Sequence, residues 1–310
     1  MASQRALKDK MQTVKNISQI TKAMEMVSAT KMRKSQEVAL RARPYAQKAL
    51  SLLSRISTVS EKEDLIGTFS EERSEGKTAF VVVTSDKGLC GSYNSAVLRK
   101  ASEWKKKEEA EGNEVDIIAV GKKTRDYFTH RHAGLAQEFI QFSDIATMED
   151  AKPLADWIIT SYSKEDYGKV VFCSTFFESA LVQKVEVHQV LPLDEQFIAS
   201  VISGIVPKTG KYADVDNLDA TEDLQYALEP SAEEIVEDLI RDLVQVEITH
   251  LIFEANASEH SARMMAMKNA TENAQNLEEE LNLELNKARQ SDITQELSEI
   301  STAKEALSQN

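Results

Sequence analysis

Two short motifs in the middle of the chain have residue types that bind phosphate groups. The segment GKKT at 121–124 follows an apolar run, as the end of a phosphate-binding loop does, but the position five before Gly121 is Asp116 instead of the required glycine. The segment SDKGLCGSYNS at 85–95 is a glycine-containing turn whose amides are able to hold an anion, but it lacks the three-glycine spacing of a dinucleotide site. We therefore predict a turn followed by a helix start at 121–124 and a structural turn at 85–95.

Cysteine and histidine residues offer the other candidate chemistry. Cys90 needs a histidine base to act as a nucleophile, and the sequence places none beside it, so a small buried side chain is the better interpretation. His130 and His132 are two residues apart, on different sides of a predicted helix, which disfavours joint metal binding. Glu259-His260 lacks the second histidine of a zinc-protease helix. The sequence thus predicts no catalytic residue, no metal site and no cofactor.

The elements that carry these motifs alternate between strands and helices. Ala79–Thr84 and Val115–Val120 are apolar, β-branched runs typical of buried strands. The remaining predicted elements are a helix over Ser92–Ala110, a helix through Tyr127 and Phe128, a strand around Glu138–Phe142, a helix near Ala155–Tyr162, a strand over Val170–Thr175 and a hairpin partner over Ala180–Val190. This order predicts an α/β, Rossmann-like domain over about 75–190, with helices on both faces of its sheet.

The two ends of the chain have the composition of long helices. All ten glycines lie between Gly67 and Gly210, and residues 231–310 contain neither glycine nor proline. Apolar residues recur at steps of three and four in both ends: Leu7, Met11, Val14, Ile17, Ile20, Met24 and Val27, then Ala270, Ala274, Leu277, Leu281, Leu285 and Ala288, followed by Ile293, Leu297 and Ile300. Such narrow stripes predict a long antiparallel coiled coil between residues 1–57 and 231–310, joined to the α/β domain by an irregular connector over 194–230.

Charge is distributed unevenly along the chain. The net charge is −14, yet residues 1–57 hold twelve basic and three acidic side chains, a net of +9, while residues 231–310 hold 17 acidic and six basic ones, a net of −11. Attraction between the two ends is the simplest interpretation. A basic arm also fits nucleic acid or anionic lipid, but this one lacks the interleaved aromatic residues of a base-stacking surface. The longest uncharged stretch of note, Gln196–Pro207, is too short to span a bilayer.

Three motifs in the arms resemble one known family. ITKAMEMVSATKM at 20–32, ASEHSARMMAMKNATENA at 257–274 and NKARQSDITQEL at 286–297 closely resemble the gamma subunit of rotary F-type ATP synthases, and GLCG at 88–91 is similar to its central domain. The resemblance implies a central rotor shaft inside a ring of alpha and beta subunits, with the α/β domain near the epsilon subunit and the membrane rotor ring. It also implies a peripheral location on the cytoplasmic face of the bacterial inner membrane, with no nucleic acid partner.

The same resemblance implies which residues contact the partners. Arg289, Gln290, Thr294 and Glu296 match the polar contacts to a loop of the catalytic beta subunit. Lys22, Met24 and Lys31 match the region that faces the acidic lever segment of beta. Tyr226 and Glu229 match a segment that touches the rotor ring, although Leu228 stands where an aromatic residue is common.

Two other classes of protein remain open from the sequence. One is an α/β nucleotide-binding enzyme with helical extensions, which predicts saturable binding of a nucleotide. The other is a scaffold coiled coil with an embedded domain, which predicts a stable homodimer instead of an intramolecular helix pair. For a shaft, the expected role is to couple proton-driven rotation to conformational change at catalytic sites on other subunits.

Overall fold

The fold is that of a computed structural model, which describes residues 4–59, 69, 76–132, 134–193 and 232–308. Along the chain, the elements in these residues are α1 (Gln4–Val59), β1 (Lys77–Val83), α2 (Tyr93–Ala110), β2 (Val115–Val120), α3 (Lys122–Thr129), β3 (Leu135–Phe139), α4 (Met148–Ser163), β4 (Tyr167–Phe177), β5 (Gln183–Leu191) and α5 (Ala232–Ser308). The predicted connector 194–230 lies outside the described residues.

The chain divides into two compact units. One unit combines Met1–Val27 with Met264–Asn310, and the other is Ser28–Arg263. Both long helices therefore contribute to both units. The segment boundaries expected from the sequence, at 57, 75, 190 and 231, remain predictions.

A five-stranded mixed sheet lies at the centre of the second unit. Its strand order is β3-β2-β1-β4-β5. The first four strands in this order are parallel, while β5 is antiparallel to β4. The parallel strand β1 is apolar because both of its faces are covered, and Phe80, Val81 and Val82 are completely buried. The predicted α/β fold is confirmed.

Each face of the sheet has its own hydrophobic core. On one face, Leu154 and Ile158 of α4 pack with residues of α5 that precede Arg263, among them Leu251. On the other face, Val97 of α2 and Phe128 of α3 pack against the sheet. Helix α4 begins with a capping box, in which Thr147 and Asp150 each bond the other's backbone amide, so its start is defined locally.

Two local expectations were wrong. The third strand runs over Leu135–Phe139 and not around Glu138–Phe142, because Gln141 has a positive φ of 68° that ends the extended backbone. Helix α3 ends at Thr129, so His130 and His132 follow the helix and do not lie on two sides of it. His132 itself has a φ of 54°.

The first unit is an antiparallel pair formed by the start of α1 and the end of α5. The amide Nε2 of Gln4 donates to Oδ2 of Asp292 at 2.7 Å, and Oγ1 of Thr271 lies 2.8 Å from Oγ1 of Thr21. Advancing along α1 therefore means moving back along α5. The long antiparallel helix pair expected from the terminal periodicity is confirmed.

The seam of this pair differs from the predicted apolar stripe after its first turns. Leu7 is buried, and Met11 and Val14 are half-buried, as expected. Farther along α1, Ile17, Ile20 and Val27 are 46%, 59% and 51% exposed. Met24 of the predicted stripe is half-buried, and so are Ser18, Thr21 and Glu25, which the prediction left out. On α5, Leu281 is buried but Leu277 is 43% exposed. Buried and half-buried positions of α1 repeat every seven residues, and from Ser18 onward this series lies one position after the predicted apolar residues. Part of the apolar stripe therefore faces outward.

Candidate partner-contact surfaces

The end of α5 is an exposed helical surface. All of residues 289–300 are exposed, including the predicted contacts Arg289, Gln290, Thr294 and Glu296. The described part of α1 begins at Gln4, whose side chain meets Asp292, so the helix pair ends there within the described residues. At 1.5 Å per residue, the remaining turns of α5 extend roughly 24 Å beyond that contact.

Polar and apolar groups share this surface. Thr294 Oγ1 donates to the carbonyl oxygen of Gln290 at 2.8 Å, a bond that orients the hydroxyl along the helix. Ile293, Leu297 and Ile300 are 45%, 62% and 65% exposed at spacings of four and three. An apolar stripe that water reaches favours contact with another surface. The structure therefore brings the four predicted polar residues together on one accessible helix segment that also carries apolar side chains.

Lys22 and Met24 lie on α1 in the first unit, which also contains the end of α5. Lys22 Nζ is 3.1 Å from Glu25 Oε2, and its side chain is 55% exposed. The Glu25 side chain is only 17% exposed, but the Lys22 ammonium is open to solvent, which screens the pair and leaves the ammonium accessible to another carboxylate. Met24 is half-buried.

Lys31 belongs to the second unit, Ser28–Arg263, which we call the α/β unit. There it pairs with an aspartate that the sequence analysis did not single out. Its Nζ lies 2.7 Å from Oδ2 of Asp144, and Nζ of Lys87 lies 2.6 Å from Oδ1 of the same carboxylate. The hydrogen bond from Lys31, with a smaller contribution from that of Lys87, holds the pKa of Asp144 well below its usual range. Two lysines distant in sequence thus converge on one carboxylate. Tyr226 and Glu229 lie outside the described residues.

The GKKT segment is a capped helix start. The amide of Lys122, the first residue of α3, donates to Oδ1 of Asp86 at 2.8 Å, and the amide of Thr124 donates to Oγ1 of Thr84 at 2.9 Å. Gly121 has a φ of 90°, and a Cβ there would lie 2.2 Å from the carbonyl oxygen of Thr84. The chain's own carboxylate occupies the position that an anion takes at a helix N-terminus. The glycine is required for close packing.

The turn between β1 and α2 is held by an arginine of α5. Arg263, only 8% exposed, donates from Nε and Nη2 to the carbonyl oxygen of Gly88, both at 3.3 Å. Cys90 is buried, and its sulfur contacts Asn94 Nδ2 at 3.1 Å and Ser85 Oγ at 3.8 Å. An amide and a hydroxyl do not supply the base that a nucleophile needs. The prediction of a small buried side chain at Cys90 is confirmed.

A cleft of about 350 Å³ lies at the carboxyl ends of β1 and β2. Residues of α5 form one wall, including Ile252, Asn256 and His260. In α/β proteins, ligands bind outside the carboxyl ends of the strands. Here the long helix lies along that edge, and the ring nitrogen Nε2 of His260 is hydrogen-bonded to the backbone oxygen of Asp144. The edge serves as a contact between the sheet and α5.

Together these features define a class of protein: an α/β domain whose flanking sequences form an antiparallel helix pair, with an exposed segment at the end of one helix. No described helix is both long enough and apolar enough to cross a membrane. The family model described as ATP synthase matches residues 3–307. The chain belongs to the ATP synthase gamma chain family.

Individual relatives span the whole chain. The gamma chain of Roseiflexus castenholzii is 36% identical over 312 residues, covering 100% of both sequences, and that of Pelotomaculum thermopropionicum is 35% identical over 302 residues, covering 97% of both. Among solved structures, a chain of the Euglena gracilis mitochondrial ATP synthase has a TM-score of 0.64 at 20% identity, over 98% of this chain and 94% of that one. A chain from the central stalk and ring of the Tetrahymena thermophila enzyme has a TM-score of 0.56 at 23% identity, over 81% and 99%. These two similarities concern the fold.

Proposed function

We propose that this chain is the central rotor shaft of an F-type ATP synthase. It couples proton-driven rotation of a membrane ring to conformational change at the catalytic sites of the beta subunits, and it catalyses no reaction itself. The observation that carries the proposal is the antiparallel helix pair, together with the exposed segment at the end of α5. Full-length similarity to curated gamma chains supports the same role.

The partners follow from this role. The alpha and beta subunits form the ring around the helix pair, while the epsilon subunit and the membrane rotor ring contact the α/β end of the chain. The chain is a peripheral component on the cytoplasmic face of the bacterial inner membrane. Tyr226 and Glu229 are proposed to contact the rotor ring.

Contacts with beta are assigned to two regions. Arg289, Gln290, Thr294 and Glu296 offer a cation, an amide, a hydroxyl and a carboxylate from one exposed helix, which suits polar contact with a beta-subunit loop. Lys22, Met24 and Lys31 are assigned to the acidic lever segment of beta. For Lys31 the proposal requires an exchange of partners, because its ammonium is already bound to Asp144.

Energy transfer through such contacts depends on how much the free energy of the contact differs between the two conformational states of a catalytic site. A contact that is equally favourable in both states shifts nothing. Moving a catalytic site from about 1:99 to about 99:1 requires roughly 5.5 kcal/mol of preference for the favoured state. An asymmetric shaft meets the sites of a nearly threefold ring with different faces, so rotation presents the preference to each beta subunit in turn.

Reconstitution tests the proposal. The purified chain is expected to show no ATP turnover, and to restore coupled ATPase activity when added to an alpha–beta ring that lacks it. Arg289→Ala and Thr294→Ala are expected to lower coupled activity, whereas the exposed Lys164→Ala on the α/β unit serves as the matched control. ATP hydrolysis by the purified chain, or full coupling with both contact residues removed, would contradict the proposal.

Calorimetric titration separates this role from that of a nucleotide-binding enzyme. With Asp86 bonded to the first amide of α3, the proposal predicts no saturable binding of ATP or NAD to the purified chain. Saturable binding, lost on replacement of residues lining the cleft at the strand ends, would favour the enzyme instead.

A further inference from the structure

A buried polar stripe runs along the side of α5 that meets the β4–β5 hairpin. Its members follow one another at steps of three or four residues, which places them on one face of the helix. Their exposed fractions are 6% for Glu247, 4% for His250, 0% for Ser258 and 0% for Ser261. Glu254 completes the stripe, with its side chain 19% exposed. Buried charged side chains are costly unless they are paired, so this stripe calls for a physical explanation.

One end of the stripe is firmly hydrogen-bonded to the hairpin. Ser261 Oγ donates to the carbonyl oxygen of Ala180 at 2.8 Å, and Ser258 Oγ donates to that of Thr175 at 3.3 Å. The amide of Phe177, the last residue of β4, donates to Oε2 of Glu254 at 2.9 Å. These bonds join the tip of the hairpin to the helix.

The other end of the stripe makes a much weaker contact. Glu247 Oε1 lies 3.9 Å from Nε2 of His188 on β5, which is too long for a hydrogen bond. Among the described residues, Oε2 of Glu247 and both ring nitrogens of His188 have no hydrogen-bond partner. The rings of Phe172 and Phe176 lie 6.4 Å and 5.4 Å from the imidazole. An acid and a base therefore face each other in an apolar environment.

This environment favours the neutral form of each group. Burial raises the pKa of Glu247 to about 7, with the charge of Glu254 adding to the effect, and burial raises the pKa of Glu254 to about 7. Burial, helped by nearby His250, lowers the pKa of His188 to about 4. Near pH 6 both carboxyls are mostly protonated and His188 is mostly neutral.

Within the part of the chain that the structure describes, few other charges reach the cluster from the elements packed against it. On the same face of β4, His188 is flanked by Phe172, Ser174 and Phe176. Lys184 and Glu186 share its face of β5, but both are exposed, and Lys184 pairs with Glu178. From α5 itself come His250 and Glu254.

We propose that Glu247, His188 and Glu254 form a proton-responsive clasp between α5 and the β4–β5 hairpin, which is closed while the carboxyls carry protons and is loosened when they ionise. The clasp concerns the α/β unit alone, so it stands independently of the rotor role. Its physical basis is that opening the hairpin returns each carboxyl to water, where the ionised form is stable.

The magnitude follows from linkage. The opening constant is the equilibrium ratio of the open to the closed clasp. A carboxyl whose pKa is about 7 in the closed clasp and about 4.5 in the open one increases this constant about tenfold between pH 6 and pH 8. His188, which titrates near 4 when closed and near 6.5 when open, decreases it about fourfold over the same range. With two carboxyls and one histidine, the wild-type opening constant is expected to rise about 25-fold.

Hydrogen–deuterium exchange of the full chain measures this opening at the β5 amides, once the intrinsic pH dependence of exchange is removed. Glu247→Gln leaves one titrating carboxyl, so the rise is expected to shrink to about 2.5-fold. The double variant Glu247→Gln, Glu254→Gln leaves His188 as the titrating member of the clasp, and the pH dependence of the opening constant is expected to reverse, to a fall of about fourfold. The matched control Glu186→Gln removes an exposed carboxyl of the same strand and keeps the wild-type rise.

Two results would overturn the clasp. One is a wild-type chain whose β5 protection does not change between pH 6 and pH 8. The other is a Glu247→Gln chain with the full wild-type response. Circular dichroism at pH 6 checks that each variant is folded, and Glu254→Gln, with the same expected shrinkage, provides the test if Glu247→Gln loses helix content.

Discussion

Replacing Asp144 by asparagine removes the negative charge shared by two ion pairs and keeps the size of the side chain. The pairs join the carboxylate to Lys31 at 2.7 Å and to Lys87 at 2.6 Å. The side chains of Asp144, Lys31 and Lys87 are 47%, 28% and 70% exposed, so solvent screens both pairs. We expect each pair to contribute about 0.5 kcal/mol, and the substitution to lower the free energy of unfolding by about 1 kcal/mol at neutral pH and low salt.

Urea unfolding followed by tryptophan fluorescence measures this effect in the right part of the molecule, because both tryptophans, Trp104 and Trp157, lie in the α/β unit. The folded-state pKa of Asp144 is depressed, so its stabilisation is present above the ordinary carboxyl pKa and is lost as the pH falls toward the folded value. The difference between wild type and variant is therefore expected to shrink as the pH falls from 5 toward 2. It is also expected to shrink in 1 M salt.

Asp156→Asn is the matched control, because Asp156 is an exposed aspartate of α4 in the same unit. It is expected to change the free energy of unfolding by less than about 0.5 kcal/mol at any of these pH values. Equal stability of wild type and Asp144→Asn at pH 7, or a difference that grows on acidification, would refute the reasoning.

Three further substitutions test other parts of the fold. Gly121→Ala places a Cβ 2.2 Å from a backbone oxygen at a φ of 90°, and is expected to cost about 3 kcal/mol in urea unfolding; a neutral result would contradict the close packing seen there. Leu281→Ala in the helix seam is expected to cost about 2 kcal/mol in thermal unfolding followed by circular dichroism, whereas exposed Leu283→Ala costs less than about 0.5 kcal/mol, and equal effects would contradict the seam. Thr147→Ala removes the capping box of α4 and is expected to lower the free energy of unfolding in urea by about 1 kcal/mol. An unchanged free energy of unfolding would contradict a stabilising role for the box.

Local pattern was sufficient for the main elements. The apolar run at 79–84 and the run at 115–120 predict strands because a parallel strand buried on both faces contains few polar residues. The long helices were predictable because glycine and proline are almost absent from the chain ends. The family was also indicated by the sequence, because the motifs at 20–32, 257–274 and 286–297 are specific to it.

Elements with few buried residues were harder to place. The edge strand β3 has three exposed residues at its centre, so its apolar signal is weak, and the neighbouring Phe139 and Phe142 shifted the prediction three residues along the chain. In the helix pair, the sequence contains two competing stripes one position apart. The apolar stripe through Ile17 and Ile20 was predicted to form the seam, whereas Ser18 and Thr21 face the partner helix.

Contacts between residues far apart in the chain were not predictable from the sequence. Nothing in the sequence connects Lys31 with Asp144, because only the fold brings α1 near the loop before α4. The buried stripe on α5 did leave a signal: Glu247, His250 and Glu254 recur at helical spacing in a mainly apolar stretch. That spacing places the three residues on one face of the helix, and the structure shows that this face packs against the β4–β5 hairpin.

Single-molecule rotation is the most direct test of the shaft itself. Cys90 and Cys173 are buried, so a cysteine introduced by Glu111→Cys, at the exposed end of α2, is labelled selectively. With the alpha–beta ring fixed to a surface, the label is expected to turn in one direction on addition of ATP and to pause three times per turn, in step with a nearly threefold ring. A label that stays fixed while the ring hydrolyses ATP would contradict the account.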